Sequence, residues 1–189
     1  CDGARNFKVV KAHVDEPANR ENWEEVLPHR DDTLVERVDL FRHHFVAWEW
    51  EGGLQHVRVQ DLSDGEVHYI QFSDSLYAVW PGEKPDVEDT LQPLYFNSNT
   101  FVFSYSSFVQ PTIVYEYDMD NHRKRKKKEM LVNGYVKEEY HQRRVWATAP
   151  DGAQVPISLV YKVALKNPAG NPLLLSGYGA YGGHKLPSF

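Results

Sequence analysis

Two tyrosines near the end of the sequence are the residues whose type and setting point most directly to chemistry. Tyr178 and Tyr181 lie in a glycine-rich stretch that follows the apolar run Leu173–Leu175. Such a run predicts a buried strand, and the glycines after it allow main chain to approach a ligand closely. A tyrosine hydroxyl held on a rigid turn at a strand end can donate a hydrogen bond to a developing oxyanion. Alternatively, both rings simply pack against neighbouring side chains, and position alone leaves the two interpretations open.

Nucleophilic catalysis needs a serine activated by a base, and the sequence contains no serine in that setting. The Gly-x-Ser-x-Gly elbow is absent from the 189 residues. Ser176 precedes Gly177 at the end of the apolar run, so we interpret it as structural, and we interpret His184 as a surface histidine. The residues themselves therefore offer no activated serine nucleophile of this type.

A metal site is not predicted, although the sequence contains nine histidines. The His-Glu-x-x-His pattern is absent and Cys1 is the only cysteine, so no cysteine pair can serve as ligands. His43 and His44 are adjacent, and adjacent side chains on a strand point to opposite faces of the sheet. We expect no metal and no cofactor.

The run from Arg123 to Lys128 consists of six consecutive basic residues. One interpretation is a nuclear-localisation or nucleic-acid-binding patch. The other is a solvated hairpin turn between strands at Tyr115–Met119 and Met130–Val132. We favour the turn because a short run of like charge is a weak motif and the chain carries a net charge of −6.

Composition narrows the class of protein. The net negative charge argues against nucleic acid or an anionic membrane as a partner, and no apolar run approaches the roughly 18 residues that span a bilayer. A single cysteine excludes an internal disulfide, which favours a reducing, cytoplasmic setting. The 13% aromatic content favours strand-rich structure, because aromatic side chains fit a pleated surface.

Short strand patterns separated by turns dominate the first two thirds of the sequence. Their spacing of roughly 8–12 residues is typical of an antiparallel sandwich, barrel or propeller. The segment Asn22–Leu27 predicts instead a short helical turn with Asn22 as its N-cap. The predicted strands are Val35–Phe41, Phe45–Trp50, Leu54–Leu62, Val67–Phe72, Leu94–Phe96, Thr100–Tyr105 and Thr112–Tyr117.

The sequence changes character near residue 130. Val145–Thr148 and Val155–Tyr161 predict two strands joined by a turn at Asp151-Gly152, which is a strong hairpin signal. We place a domain boundary at about 130–140.

The segment Val145–Lys162 resembles the opening hairpin of the catalytic domain in the prolyl oligopeptidase family of serine peptidases. Pro172–Gly182 resembles the family's strand ending in a Gly-Tyr-Gly turn, in the form that is similar to oligopeptidase B. Upstream, Gly3–Lys8, Trp23–Arg30 and Tyr117–Asp120 are similar to the same proteins. The resemblance spans essentially the whole chain, and the 145–182 block is its most specific part.

The resemblance implies a mainly β fold that comprises the last blades of a seven-bladed β-propeller followed by the first strands of an α/β-hydrolase domain. Residues 1–134 would form the C-terminal part of the propeller, and residues 135–189 would begin the catalytic domain. Tyr178 would match the tyrosine of the oxyanion hole, and Tyr181 an aromatic residue near the pocket for a basic side chain. The triad would lie downstream of Phe189.

The implied activity is hydrolysis of short peptides after Arg or Lys by acyl-enzyme chemistry, with the remainder of the parent polypeptide as a partner. We expect this chain to be inactive alone, since the nucleophile and base are missing from it. The alternative is a non-catalytic, propeller-type interaction module in which Tyr178 is structural.

Overall fold

The computed structural model describes residues 3–82 and 92–189, and these residues form two compact units that divide between Ile70 and Gln71. Strands dominate both units, and the strand bounds are as follows. β1 is Val9–Lys11, β2 Glu24–Leu27, β3 Thr33–Leu40, β4 His44–Glu51, β5 Leu54–Asp61, β6 Val67–Tyr69, β7 Ala78–Pro81, β8 Thr100–Ser107, β9 Gln110–Asp118, β10 Arg123–Glu129, β11 Tyr140–Thr148 and β12 Gln154–Lys162.

The first unit contains a four-stranded antiparallel sheet in the order β3-β4-β5-β6, beside the two-stranded pair β1-β2. Consecutive strands are neighbours because each connection is a short turn, such as the one at Gly52-Gly53, where both glycines have a positive φ. Leu27 of β2 packs with Val35, Phe45 and Ala47, and this cluster forms a core on one face of the sheet.

The second unit contains a second four-stranded antiparallel sheet, in the order β10-β9-β8-β7, and the separate hairpin β11-β12. Its core is aromatic. Phe72 stacks on Tyr105 with ring centroids 5.2 Å apart, and Tyr77 and Phe103 also contact the Phe72 ring. Alternation along β8 places Phe101, Phe103 and Tyr105 on one face, which explains the strong strand signal in this part of the sequence.

Six of the seven strands predicted between residues 35 and 117 are confirmed, and so is the hairpin at residues 145–161. The prediction at Leu94–Phe96 is wrong, because these residues belong to the short helix α1, Gln92–Phe96. The prediction at Asn22–Leu27 is also wrong. A 3₁₀ turn spans Arg20–Asn22 with Asn19 as its cap, and the chain then extends into β2, where Lys8 and Lys11 pair with glutamates.

The basic run is a strand, not the predicted turn. Arg123–Lys128 forms nearly all of β10, the edge strand beside β9, and the turn lies before it at residues 119–122. Arg125 and Lys127 both bind Glu116 of β9, which lowers local repulsion. Lysine on an exposed edge is a common protection against pairing with another chain.

The prediction of a buried strand at Leu173–Leu175 is wrong for the described structure. These residues form no strand, and their side chains are 75%, 93% and 76% exposed. A buried strand needs neighbouring strands to pair its backbone groups, and none pairs with this run in residues 92–189.

Candidate functional site

The glycine-rich stretch after the leucines forms an exposed loop that contains a 3₁₀ turn at Ala180–Gly182. The turn closes with a hydrogen bond of 2.9 Å from the Gly183 amide to the Ala180 carbonyl. Tyr181 adopts the left-handed conformation with φ 55° and ψ 32°, which is uncommon for a residue with a side chain. The loop therefore fixes an aromatic residue in a strained backbone geometry.

The Tyr178 side chain lies across Gly183. A Cβ built on Gly183 would stand 2.7 Å from Cε1 of the Tyr178 ring, so only glycine lets the ring approach the main chain this closely. The Tyr178 side chain remains 58% exposed. Its position just before the turn, with the ring against the main chain at Gly183 and the side chain partly open to solvent, suits a hydrogen-bond donor to a ligand.

Tyr181 extends from the same turn and is fully exposed. Ser176 and His184 are exposed as well. The structure therefore brings Tyr178 and Tyr181 onto one loop, but it does not cover that loop with other residues of the described ranges.

The segment that follows β10 is attached to the second sheet by side chains that the sequence did not single out. The Tyr135 hydroxyl donates to the Val109 carbonyl at 2.8 Å, and the Tyr135 ring stacks on Tyr140. Phe189 packs edge-on against Tyr135, and its amide donates to Ser106 Oγ at 3.1 Å. The two ends of the 131–189 segment therefore meet at the β8–β9 turn.

A polar network adjoins this attachment. The Tyr105 hydroxyl donates to Asp74 Oδ2 at 2.6 Å, and Lys137 Nζ lies 3.6 Å from the other Asp74 oxygen. Lys137 also donates to Gln110 Oε1 at 3.1 Å. Burial, together with the bond to Asp74, raises the pKa of Tyr105 well above its usual range. No motif marks this network, because its members are far apart in the sequence.

Within the described ranges, no group of three or more His, Cys, Asp or Glu side chains is arranged to hold a metal ion. None of the helices in residues 3–82 and 92–189 has the length and apolar character required to cross a bilayer.

Two sheets of four consecutive antiparallel strands, in a mainly β chain with few helices, define a part of a β-propeller. Residues 2–130 match the family described as "Prolyl oligopeptidase, N-terminal beta-propeller domain". The chain therefore belongs to the prolyl oligopeptidase family, whose members are serine peptidases of family S9.

Individual relatives agree with this assignment. The chain is 32% identical to dipeptidyl aminopeptidase BI from Pseudoxanthomonas mexicana, over 100% of this chain and 25% of that protein. It is 25% identical to Protease 2 from Moraxella lacunata, again over 100% of the chain and 25% of the relative. The chain thus spans about a quarter of the length of the curated relatives it matches.

A solved structure shows the same arrangement. Oligopeptidase B from Trypanosoma brucei, crystallised with covalently bound antipain, superposes with a TM-score of 0.84 at 28% sequence identity. The superposition covers 100% of this chain and 26% of that chain. The likeness therefore extends beyond residue 130, through the hairpin β11-β12 and the tyrosine loop.

Proposed function

We propose that this chain is part of a serine oligopeptidase of the oligopeptidase B type, which hydrolyses short peptides after Arg or Lys. Residues 1–134 would supply late blades of a seven-bladed propeller, and residues 135–189 the first strands of an α/β-hydrolase domain. The observation that carries the proposal is the likeness to oligopeptidase B over the full chain, including residues 131–189, which lie outside the propeller match.

The role of Tyr178 in this proposal is to donate its hydroxyl hydrogen to the oxyanion of the tetrahedral intermediate. The support is geometric. The ring rests on Gly183 and the side chain stays open on one side, so the hydroxyl is available to a ligand without rearrangement of the loop. Such a donor acts by stabilising charge that develops in the transition state.

The proposed role is tested by Tyr178→Phe in the complete peptidase that contains this sequence. We expect kcat for an Arg-containing fluorogenic peptide to fall about 10²-fold, the effect of one lost oxyanion donor, with a small change in KM. Tyr181→Phe is the matched control, because it removes a hydroxyl from the same loop. An unchanged kcat in Tyr178→Phe would contradict the assigned role.

Tyr181 is proposed to lie beside the pocket for the basic side chain of the substrate. Its fully exposed ring is available for contact with a cation, and an aromatic face attracts guanidinium and ammonium groups. Tyr181→Ala should therefore raise KM for Arg-containing peptides more than for matched peptides with norleucine. An equal change for both peptides would remove this role from the proposal.

A second function is supported by the extent of the family match, which covers the propeller part alone. In this alternative the chain is a non-catalytic interaction module. A reading frame that continues past Phe189 into a Gly-x-Ser-x-Gly elbow would exclude the module. In the peptidase proposal, the 189-residue chain alone is inactive, and serine-inhibitor-sensitive turnover by it would contradict that expectation.

A further inference from the structure

A cluster of polar side chains lies on one face of the first sheet, the face that also carries Phe45 and Ala47, and the proposed peptidase activity does not use this cluster. Residues opposite each other on antiparallel strands share a face, and here Glu49 lies opposite His56 while Arg58 lies opposite Tyr69. His56 and Arg58 are two positions apart on β5 and therefore point to the same face, so all four side chains share that face. Arg30, from the segment before β3, completes what we call the arginine cluster.

Arg30 and Tyr69 together account for both oxygens of the cluster's carboxylate, Glu49. Arg30 Nη2 donates to Glu49 Oε1, and Arg30 Nη1 donates to the Tyr69 hydroxyl at 3.3 Å. The Tyr69 hydroxyl donates in turn to Glu49 Oε2 at 3.2 Å. Glu49 is 1% exposed, so this carboxylate is buried and satisfied by groups of the cluster itself.

Arg58, unlike Glu49, has a buried polar atom that is not satisfied by the cluster. Its Nη1 atom is buried and has no hydrogen-bond partner among the described residues, and the same is true of Arg30 Nε. Gln60 Oε1, on the same face of β5, is also buried without a donor among the described residues. A buried charged donor that lacks an acceptor destabilises the folded state.

The arginine cluster contains more positive than negative charge. The groups that act on Arg58 are Glu49, Tyr69 and Arg30, which means that two guanidinium groups share one carboxylate. Burial, followed by the charge of Arg30, lowers the pKa of Arg58, while Glu49 opposes the shift. A guanidinium nevertheless stays protonated in proteins, so the cluster retains an excess positive charge.

We propose that the arginine cluster is a binding site for a small oxyanion, a phosphate or carboxylate group, held by Arg58 Nη1 and Arg30 Nε. Both atoms are buried N–H donors in one cluster that lack an acceptor, and the planar guanidinium is the side chain best suited to bind such oxygens. Glu49 orients Arg30 and accepts no hydrogen bond from Arg58 Nη1; its two oxygens accept from Arg30 and Tyr69 instead.

The test is calorimetric titration of the complete peptidase that contains this sequence with inorganic phosphate and, separately, with acetate, at constant ionic strength set by chloride. We expect saturable binding of at least one anion, and the preferred anion distinguishes a tetrahedral from a planar ligand. Arg58→Gln should weaken binding about tenfold or more, since a charge-assisted hydrogen bond is lost. Absence of saturable binding by either anion would overturn the proposal.

Two further variants separate a site from general attraction to positive charge. Lys11→Gln removes an exposed cation of the same unit and should leave binding unchanged, because Lys11 pairs with Glu24 at the surface and is not part of the arginine cluster. An equal loss in Lys11→Gln and Arg58→Gln would refute a defined site. Arg58→Lys keeps the positive charge but removes the planar guanidinium with its paired N–H donors. We expect its affinity for the anion to lie between that of the original sequence and that of Arg58→Gln.

A thermal readout excludes a merely structural role for Arg58. Phosphate or acetate that binds the folded chain raises its melting temperature by mass action. The shift should appear in the original chain and in Lys11→Gln and should be lost in Arg58→Gln. If the anion stabilises Arg58→Gln as much as the original chain, Arg58 does not hold the anion and the proposal fails.

Discussion

Three tyrosines in the core of the second unit hold their hydroxyl protons more tightly than a free tyrosine. Burial raises the pKa of Tyr77 to about 12 and, together with the charge of Asp118, raises the pKa of Tyr117 to about 12. Tyr105 shifts in the same direction through burial and its bond to Asp74. All three are buried in a core where an ionised phenolate would lose its hydration.

These shifts predict a loss of stability in alkali. The unfolded chain loses tyrosine protons near pH 10, whereas the folded chain keeps them to about pH 12. The free energy of unfolding should thus be unaffected by these groups below pH 10. It should fall between pH 10 and 12, by at most about 1.4 kcal/mol per pH unit for each tyrosine.

Urea unfolding at pH 9 and pH 11 measures this slope. The control is Tyr77→Phe, which preserves the ring and removes one titrating group, so its decrease between the two pH values should be smaller. Parallel pH profiles for the two proteins would show that Tyr77 does not contribute.

The roles of individual residues could be predicted from the sequence only where a local pattern carried them. Tyr178 and Tyr181 stood in a glycine-rich stretch, and the structure places both on one exposed loop. Arg30, Glu49 and Arg58 have no local pattern, because the sheet register brings them together. Alternation along β5 indicated which residues share a face with Arg58, but not that Arg30 reaches that face.

Gly82, directly after β7, continues the pairing of β7 with β8. The Gly82 amide donates to the Val102 carbonyl at 2.8 Å, and a Cβ on Gly82 would stand 2.6 Å from that same oxygen. Real Cβ atoms do not approach a carbonyl oxygen so closely, and a backbone oxygen in a central strand cannot move without disturbing its own sheet.

Gly82→Ala should therefore destabilise the second unit by about 1–3 kcal/mol, the usual cost of forcing an extra methyl group into packed structure. The matched control is Gly177→Ala, because Gly177 has no atom within 4 Å of its added Cβ. Chemical denaturation of both variants gives the comparison. Equal stability of the two variants would contradict the prediction, because it would mean that β8 moves to accommodate the added methyl group without a loss of stability.

Element prediction succeeded where alternation marks a half-buried surface, as in β5 and β8, and where β-branched and aromatic residues are concentrated, as in the mostly buried β4. It failed at both extremes of composition. The basic run of β10 lacks apolar residues, yet its backbone pairs with β9 along almost its whole length. Leu173–Leu175 is wholly apolar, yet it forms no strand, because strand formation requires a neighbour that composition cannot reveal.

At the scale of the whole molecule, the parts of the second unit differ in how much structure protects them. The sheet β7–β10 has an aromatic core, whereas β11 and β12 pair only with each other among the described strands and are mostly exposed. An isolated two-stranded hairpin is marginally stable in water. The Gln142 amide donates to the Leu76 carbonyl and so connects the hairpin to the segment just before β7.

We expect the isolated chain to be marginally stable and to unfold in more than one step. Amide hydrogen exchange should be faster in residues 140–162 than in residues 100–118, because the hairpin opens without disrupting the aromatic core. A single cooperative melting transition of the monomer, with equal protection of both segments, would contradict this expectation. The second sheet supplies the internal control, since both segments are measured in one sample.

The strand β10 also has a consequence for how the chain behaves in preparation. The chain carries a net charge of −6, yet six of its 21 lysines and arginines follow one another along this exposed edge. Glu116 and Glu129 neutralise part of that charge through their ion pairs. The sulfonate groups of a cation-exchange resin bind the positive charges of this edge, even though the net charge of the chain is negative. At neutral pH the chain should therefore be retained by cation exchangers as well as by anion exchangers.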